Sequence, residues 1–99
     1  MATAQPRTQV LWVDDEISML SAHIAFLESK GIAVTPCSSG DDALDLLRDK
    51  DFELILLDEM MPGKDGLQTL MEIKEFKPHV PVVMITKSEE ETLMEEAIG

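Results

Sequence analysis

The chain has 99 residues, 44% hydrophobic and 28% charged, which is the size of one domain with a modest core. Its formal net charge of −12 argues against direct nucleic-acid binding, which depends on clustered Lys and Arg. No apolar run could span a bilayer, and residues 1–9 resemble a flexible arm rather than a secretory signal. A single cysteine, Cys37, excludes an internal disulfide. We therefore expect a soluble cytoplasmic protein without membrane contact.

Hydrophobic periodicity alternates between strand and helix along the chain. VLWV at residues 10–13 predicts a first strand, followed by a helix from Ile17 that ends at Gly31. IAVTPC predicts a second strand, and the second helix, with ALDLL, follows a potential N-cap at Ser39. The stripe predicted to be buried on the first helix comprises Ile17, Leu20, Ile24 and Leu27.

The strongest strand signal is FELILLD, whose nearly continuous apolar run is typical of a central strand covered on both faces. A turn at Pro62 and Gly63 separates it from a third helix, and VVMIT predicts a fourth strand. A fourth helix is predicted from Ser88 to Ile98. The third helix is predicted to bury Leu67, Leu70, Ile73 and Phe76.

This order predicts an α/β fold with a doubly wound parallel sheet, in which ligands bind beyond the carboxyl ends of the strands. Asp14 and Asp15 follow the first strand, Asp58 the third, and Thr86 the fourth. Neighbouring carboxylates repel, and oxygen-rich clusters suit Mg²⁺, which shares its shell readily with phosphate. No glycine-rich nucleotide loop accompanies the cluster. Asp58 is therefore predicted as a nucleophile toward an activated phosphoryl group, with capping of the next turn as the alternative.

Three motifs, VDDE, LLDEMMPGKDG and VVMIT, occur in this order on alternating strands and together resemble the receiver domain of two-component response regulators. The resemblance covers residues 10–99 and implies a flavodoxin-like receiver fold with strand order 2-1-3-4, without the family's fifth strand and fifth helix. Pro62 and Gly66 match the turn that shapes the loop after Asp58. A narrower resemblance is to the receivers of PorX-type regulators in bacteria with type IX secretion, and it is carried by LWVDDE, DEMMPGKDGLQTL and especially MITKSEEE with MEEAIG.

The resemblance to receivers implies a role for each strand-end residue. Asp58 matches the acceptor of a phosphoryl group from a sensor histidine kinase, in a Mg²⁺-dependent transfer that the domain itself assists. Asp15 matches the direct metal ligand and Asp14 the partner acid that holds metal-bound water. Asp58 and the backbone carbonyl of Met60 complete the metal site. Thr86 matches the hydroxyl that senses the phosphoryl group. Its movement would switch the fourth-helix surface and so control an output domain or partner.

The resemblance also implies an open edge on the sheet, because the family's fifth strand normally covers the fourth and carries a lysine near the site. Lys87, next to Thr86, does not match that lysine. An exposed fourth strand would be free to pair with another chain. We therefore expect self-association through this edge or by exchange of elements between chains.

Two other functions fit parts of the pattern. A metal-dependent phosphohydrolase or phosphomutase also uses a strand-end aspartate, but usually carries a second acid two residues later, where this chain has Met60. A protein-binding pseudo-receiver would not need the combination of Asp14, Asp15, Asp58 and Thr86. The sequence therefore favours a phospho-acceptor signalling domain rather than an enzyme that turns over a substrate.

Overall fold

The computed structural model describes residues 7–86, so the start of the arm and the predicted fourth helix lie outside the described residues. Strands and helices alternate along this range. A short 3-10 helix, Ile17–Leu20, leads into the first α-helix. The strands are β1 (Thr8–Val13), β2 (Ile32–Cys37), β3 (Leu54–Asp58) and β4 (Val82–Ile85), and the helices are α1 (Ser21–Ser29), α2 (Gly40–Asp49) and α3 (Gly66–Phe76).

The four strands are parallel and lie in the order β2-β1-β3-β4, which confirms the predicted fold class and strand order. The winding reverses between β1 and β3, and the crevice at such a reversal is where ligands bind in open α/β sheets. Val13 pairs with Leu57 at this place. The next residue on each strand, Asp14 and Asp58, therefore meets its neighbour across the crevice.

The first strand begins earlier than its apolar run predicts. Thr8 pairs with Ile32 and Gln9 with Ala33, so two residues expected in the flexible arm belong to β1. Backbone pairing with β2 extends the strand beyond the residues that the core requires. The predicted arm is shorter by these two positions.

The two faces of the sheet are covered unequally. Helices α2 and α3 cover one face, on which the side chains of Leu11, Val13, Ile55 and Leu57 are fully buried. Helix α1 lies against Trp12 on the other face and buries none of its own residues fully. Further along that face Leu56 is half-buried, and its partner Val83 is 49% exposed. We call these the covered face and the open face.

The two predicted helix stripes differ from the structure to different degrees. The α1 stripe is partly buried rather than fully buried, because no other α-helix of residues 7–86 packs beside α1 on this face. In α3 the buried residues are Gly66, Thr69 and Ile73, while Leu67 is 59% exposed. Small side chains let this side of α3 approach β3 and α2 closely, so the helix is rotated from the orientation that hydrophobicity alone predicts.

Caps fix where the helices begin and end. The Ser39 side chain accepts a hydrogen bond from Asp42 N at 3.1 Å, as predicted for α2. Asp65 caps α3 in the same way, accepting from Gln68 N at 2.8 Å. After α1 the backbone reverses at Gly31, whose φ of 86° is a left-handed conformation that glycine adopts without strain.

On the free edge of β2, one backbone N–H is already hydrogen-bonded to a side chain from α1. Glu28 accepts a hydrogen bond from Val34 N at 2.8 Å through Oε2 and one from Arg7 at 2.8 Å through Oε1. Two residues further along, β2 contains Pro36, which has no backbone N–H.

Among residues 7–86, no helix combines the length and apolar character needed to cross a membrane.

Candidate metal and phosphoryl-acceptor site

Three carboxylates meet at the carboxyl ends of β1 and β3. One oxygen each from Asp14, Asp15 and Asp58 lies within 4.8 Å of the others. Asp14 and Asp58 are only 0% and 2% exposed, whereas Asp15 is open to solvent. Like charges at this separation repel. The arrangement therefore favours a bound cation.

Asp14 is fixed through both its backbone and its side chain. Its N–H donates to the carbonyl of Cys37 at 2.9 Å, continuing the pairing of β1 with β2 by one residue. Its carboxylate Oδ1 accepts from Glu16 N at 2.8 Å, and its carbonyl accepts from Ile17 N at 3.0 Å. The turn after β1 thus holds this carboxylate at the sheet edge.

Asp58 is held in a similar way by the loop that follows β3. Its Oδ1 accepts from Met60 N at 3.2 Å. Glu59 N donates to the carbonyl of Ile85 on β4 at 3.0 Å, and Gly66 N donates to the carbonyl of Glu59 at 3.0 Å. The loop thus folds back on the strand end from which it leaves.

Only glycine fits at the first residue of α3. A Cβ on Gly66 would lie 2.2 Å from the backbone oxygen of Asp58 and 2.7 Å from Glu59 Cα. These distances are well inside van der Waals contact with backbone atoms, which cannot rotate away. The resemblance to receivers matched Gly66 to the loop-shaping turn, and the structure supplies the physical reason.

The remaining predicted site residues lie close to the cluster in the fold. Asp58 pairs with Ile85, so Thr86 follows directly at the end of the adjacent strand, where it is half-buried. The Met60 side chain is 61% exposed, and its backbone N–H faces the Asp58 carboxylate. The metal-ligand and phosphoryl-sensing roles of these residues stay predictions. Lys87 lies outside the described residues.

Sequence reasoning missed a lysine next to the site. Lys64 Nζ lies 2.8 Å from Asp41 Oδ1 at the start of α2 and 2.7 Å from Glu72 Oε2 on α3. The nearby carboxylates, Asp41 first and then Glu72, raise the pKa of Lys64 above its ordinary value. The sequence contains the opposite charges but does not show that two helices bring them together.

A close contact between the starts of α2 and α3 was also missed. A Cβ on Gly40 would lie 2.2 Å from Thr69 Oγ1, so glycine is needed for the two helices to approach. The Thr69 hydroxyl donates to the carbonyl of Asp65 at 2.8 Å and is fully buried. The signal available in the sequence was a glycine at the start of each helix.

The donor set fits a hard divalent cation. Within residues 7–86, the grouped carboxylates of Asp14, Asp15 and Asp58 supply oxygen donors only, which is the chemistry that Mg²⁺ prefers.

The thiol of Cys37 is buried in the core and donates to the carbonyl of Ser39 at 3.2 Å. Burial raises the pKa of this thiol above its ordinary value. Cys37 is therefore a packing residue.

Two transcriptional regulatory proteins are clear relatives. ZraR of Klebsiella oxytoca is 40% identical over 80 residues, which cover 81% of this chain and 18% of ZraR. ResD of Bacillus subtilis is 37% identical over 84 residues, which cover 85% of this chain and 35% of ResD. The chain thus spans between about a fifth and a third of these relatives.

Solved structures agree with this relationship. The crystal structure of the response regulator TrrA from Thermotoga maritima, in complex with Mg²⁺–BeF, matches with a TM-score of 0.73 at 28% identity. The match covers 80% of this chain and 69% of the TrrA chain. The narrower resemblance to PorX-type regulators stays a prediction. A family model for the response regulator receiver domain matches residues 10–99, and the chain therefore belongs to the receiver domain family of response regulators.

Proposed function

We propose that this chain is the phosphoryl-accepting switch of a two-component system, and that Asp58 receives the group from a sensor histidine kinase with Mg²⁺ present. The observation that carries the proposal is the cluster of three carboxylates at the point where the sheet reverses. Two of them are buried, so a cation would relieve a repulsion that the fold otherwise has to tolerate. The Mg²⁺–BeF complex of TrrA supports a divalent cation here.

In the proposed transfer an oxygen of Asp58 forms a bond to phosphorus as the phosphorus–nitrogen bond of the donor phosphohistidine breaks. The histidine nitrogen keeps the electron pair of the broken bond. Met60 N–H, which already donates to Asp58 Oδ1, orients the accepting carboxylate. When bound, Mg²⁺ neutralises charge on the transferring phosphoryl oxygens. Asp14, Asp15, Asp58 and the Met60 carbonyl would hold it.

The signal would leave the site through Thr86, whose hydroxyl would donate to the new phosphoryl group in one of two arrangements. The predicted fourth helix would carry the change to an output domain or partner. Relatives that are transcriptional regulatory proteins support such an output. We also propose a cytoplasmic location and self-association through the edge of β4.

The direct test is intact-mass measurement after incubation with Mg²⁺ and acetyl phosphate. We expect one phosphoryl group on the chain, lost in Asp58→Asn and lost when the metal is chelated. Asp14→Asn should weaken Mg²⁺ binding by about tenfold or more, because it removes one of the grouped carboxylates. Asp45→Asn, a change at an exposed aspartate of α2, is the matched control and should be labelled like the wild type.

Labelling that persists in Asp58→Asn would place the acceptor elsewhere and contradict the proposal. An unlabelled wild type at saturating Mg²⁺ would favour the pseudo-receiver function. Continued release of phosphate from acetyl phosphate, without a stable labelled form, would point to a phosphohydrolase.

A further inference from the structure

Lys64 occupies an unusual place among the ion pairs of residues 7–86. Its ammonium group bridges carboxylates on two different helices, and its side chain is only 18% exposed. Lys77, by comparison, is 31% exposed and pairs with a single carboxylate, that of Asp51, which is 89% exposed. Exposed pairs of that kind contribute little to stability. Asp41 is also largely exposed, at 77%, so the more shielded contact of Lys64 is the one with Glu72, which is 39% exposed.

The stem of Lys64 is also packed. A Cβ on Gly40 would lie 3.1 Å from Lys64 Cδ, so the methylene chain passes directly over the first residue of α2. The charged end then reaches Asp41 on one side and Glu72 on the other. Lys64 thereby connects the loop after β3 to the start of α2 and to the middle of α3.

That loop connects two residues that touch Asp58. Met60 N donates to its carboxylate, and Gly66 packs against its carbonyl oxygen. Lys64 lies between them in the chain. Loosening the Lys64 contacts would therefore allow the Met60 backbone, which carries the proposed metal ligand, to move. The three carboxylates of the cluster would all remain.

We propose that Lys64 is a positioning residue, which holds the loop of residues 60–65 against α2 and α3 and so sets the affinity of the acidic cluster for Mg²⁺. The metal part of this proposal rests on the proposed function. Lys64 does not contact the reacting atoms in this account. It acts through the backbone of the loop.

The first test is amide hydrogen exchange on the metal-free protein. Lys64→Met keeps most of the stem and removes the charge, and exchange of the Gly66 amide should accelerate by about fivefold as the loop opens more often. Lys64→Arg should restore most of the protection. Lys77→Met is the matched control and should leave the Gly66 amide unchanged, because Lys77 pairs with Asp51 near the opposite end of the strands.

A second test asks whether the effect passes through the two carboxylates. In the double variant Asp41→Asn and Glu72→Gln, Lys64→Met should cause little further acceleration, because the contacts are already gone. Full acceleration in that background, or an unchanged Gly66 amide in Lys64→Met alone, would overturn the role of Lys64 in the loop.

Calorimetric Mg²⁺ titration then tests the consequence at the site. Lys64→Met should bind Mg²⁺ about tenfold more weakly, at the lower end of the loss expected when an outer contact of a metal site is removed. Lys64→Arg should recover most of the affinity, and Lys77→Met should match the wild type. Equal affinity in Lys64→Met and the wild type contradicts the metal part of the proposal. A wild type that binds no Mg²⁺ contradicts the proposed function itself, and the exchange result still decides whether Lys64 holds the loop.

Discussion

The covered and open faces of the sheet arise from the same four strands, yet they differ sharply in packing. On β3, Leu57 points to the covered face and is fully buried, whereas its neighbour Leu56 points to the open face and is half-buried. Trp12 on the open face is buried, but its indole N–H has no hydrogen-bond partner among the described residues. Strand alternation assigns side chains to faces, but helices decide how much each face stabilises the fold.

The loop that follows Asp58 packs on the covered side of this comparison, whereas strand alternation places the Asp58 side chain on the same side as Leu56. The loop after Asp58 and the starts of α2 and α3 converge on the covered face through Gly66, Gly40 and Lys64. Close packing with small residues fixes backbone positions better than a partly exposed layer can. The backbone of the loop after Asp58 is therefore positioned from the covered face.

The largest expected effect is on the free energy of unfolding, and one matched pair of variants compares the two faces. Leu57→Ala should lower the free energy of unfolding by about 2–5 kcal/mol, because it leaves a cavity in a fully packed region. Leu56→Ala, the same change one residue earlier, should cost about 1–2 kcal/mol, because part of the side chain already contacts water. Equilibrium urea unfolding followed by circular dichroism measures both. Equal losses would show that the open face is covered in solution.

Glycine substitutions give the next largest effect. Gly66→Ala should cost about 1–3 kcal/mol through the clash with the Asp58 carbonyl, and it should also weaken Mg²⁺ binding. Gly31→Ala, at the end of α1, meets no atom within 4 Å and should cost about 1–2 kcal/mol through its left-handed backbone alone.

Mg²⁺ titration distinguishes these two glycines. The affinity of Gly31→Ala should equal that of the wild type, because the strain lies far from the acidic cluster. A wild-type affinity in Gly66→Ala would mean that the backbone contact with Asp58 is not needed for the site.

The smallest effect compares thiols on the two faces. Cys37 is buried with a raised pKa, so at pH 8 we expect iodoacetamide to alkylate it about tenfold more slowly than Val83→Cys in a Cys37→Ala background. Urea should remove the difference. Because the folded-state pKa lies above the unfolded one, the stabilising contribution of the neutral thiol is fully present below about pH 8.5 and declines as pH rises through the raised value. Rapid alkylation of native Cys37 would contradict its burial.

Much of the fold could be predicted because strand signals are local. Short apolar runs predicted all four strands. The rule for parallel sheets then placed Asp14 and Asp58 at one crevice from the sequence alone. The α3 orientation could not be predicted, since a stripe of large apolar residues outweighs Gly66 and Thr69 in any hydrophobicity pattern. Lys64 was missed for a related reason. Its partners are 23 positions before it and 8 after it, and only tertiary packing brings them together.

Glu28 and Pro36 have a consequence for the growth of the sheet. A parallel strand directs its backbone groups alternately to its two sides, and Cys37 faces β1, so Val34 and Pro36 face outward. The Val34 N–H is taken by Glu28, and Pro36 has none to offer. Of the outward-facing residues of β2, only Ile32 would then offer a backbone N–H to an added strand. The outer edge of β2 therefore offers few backbone donors to an added strand, which is consistent with the proposed self-association through β4.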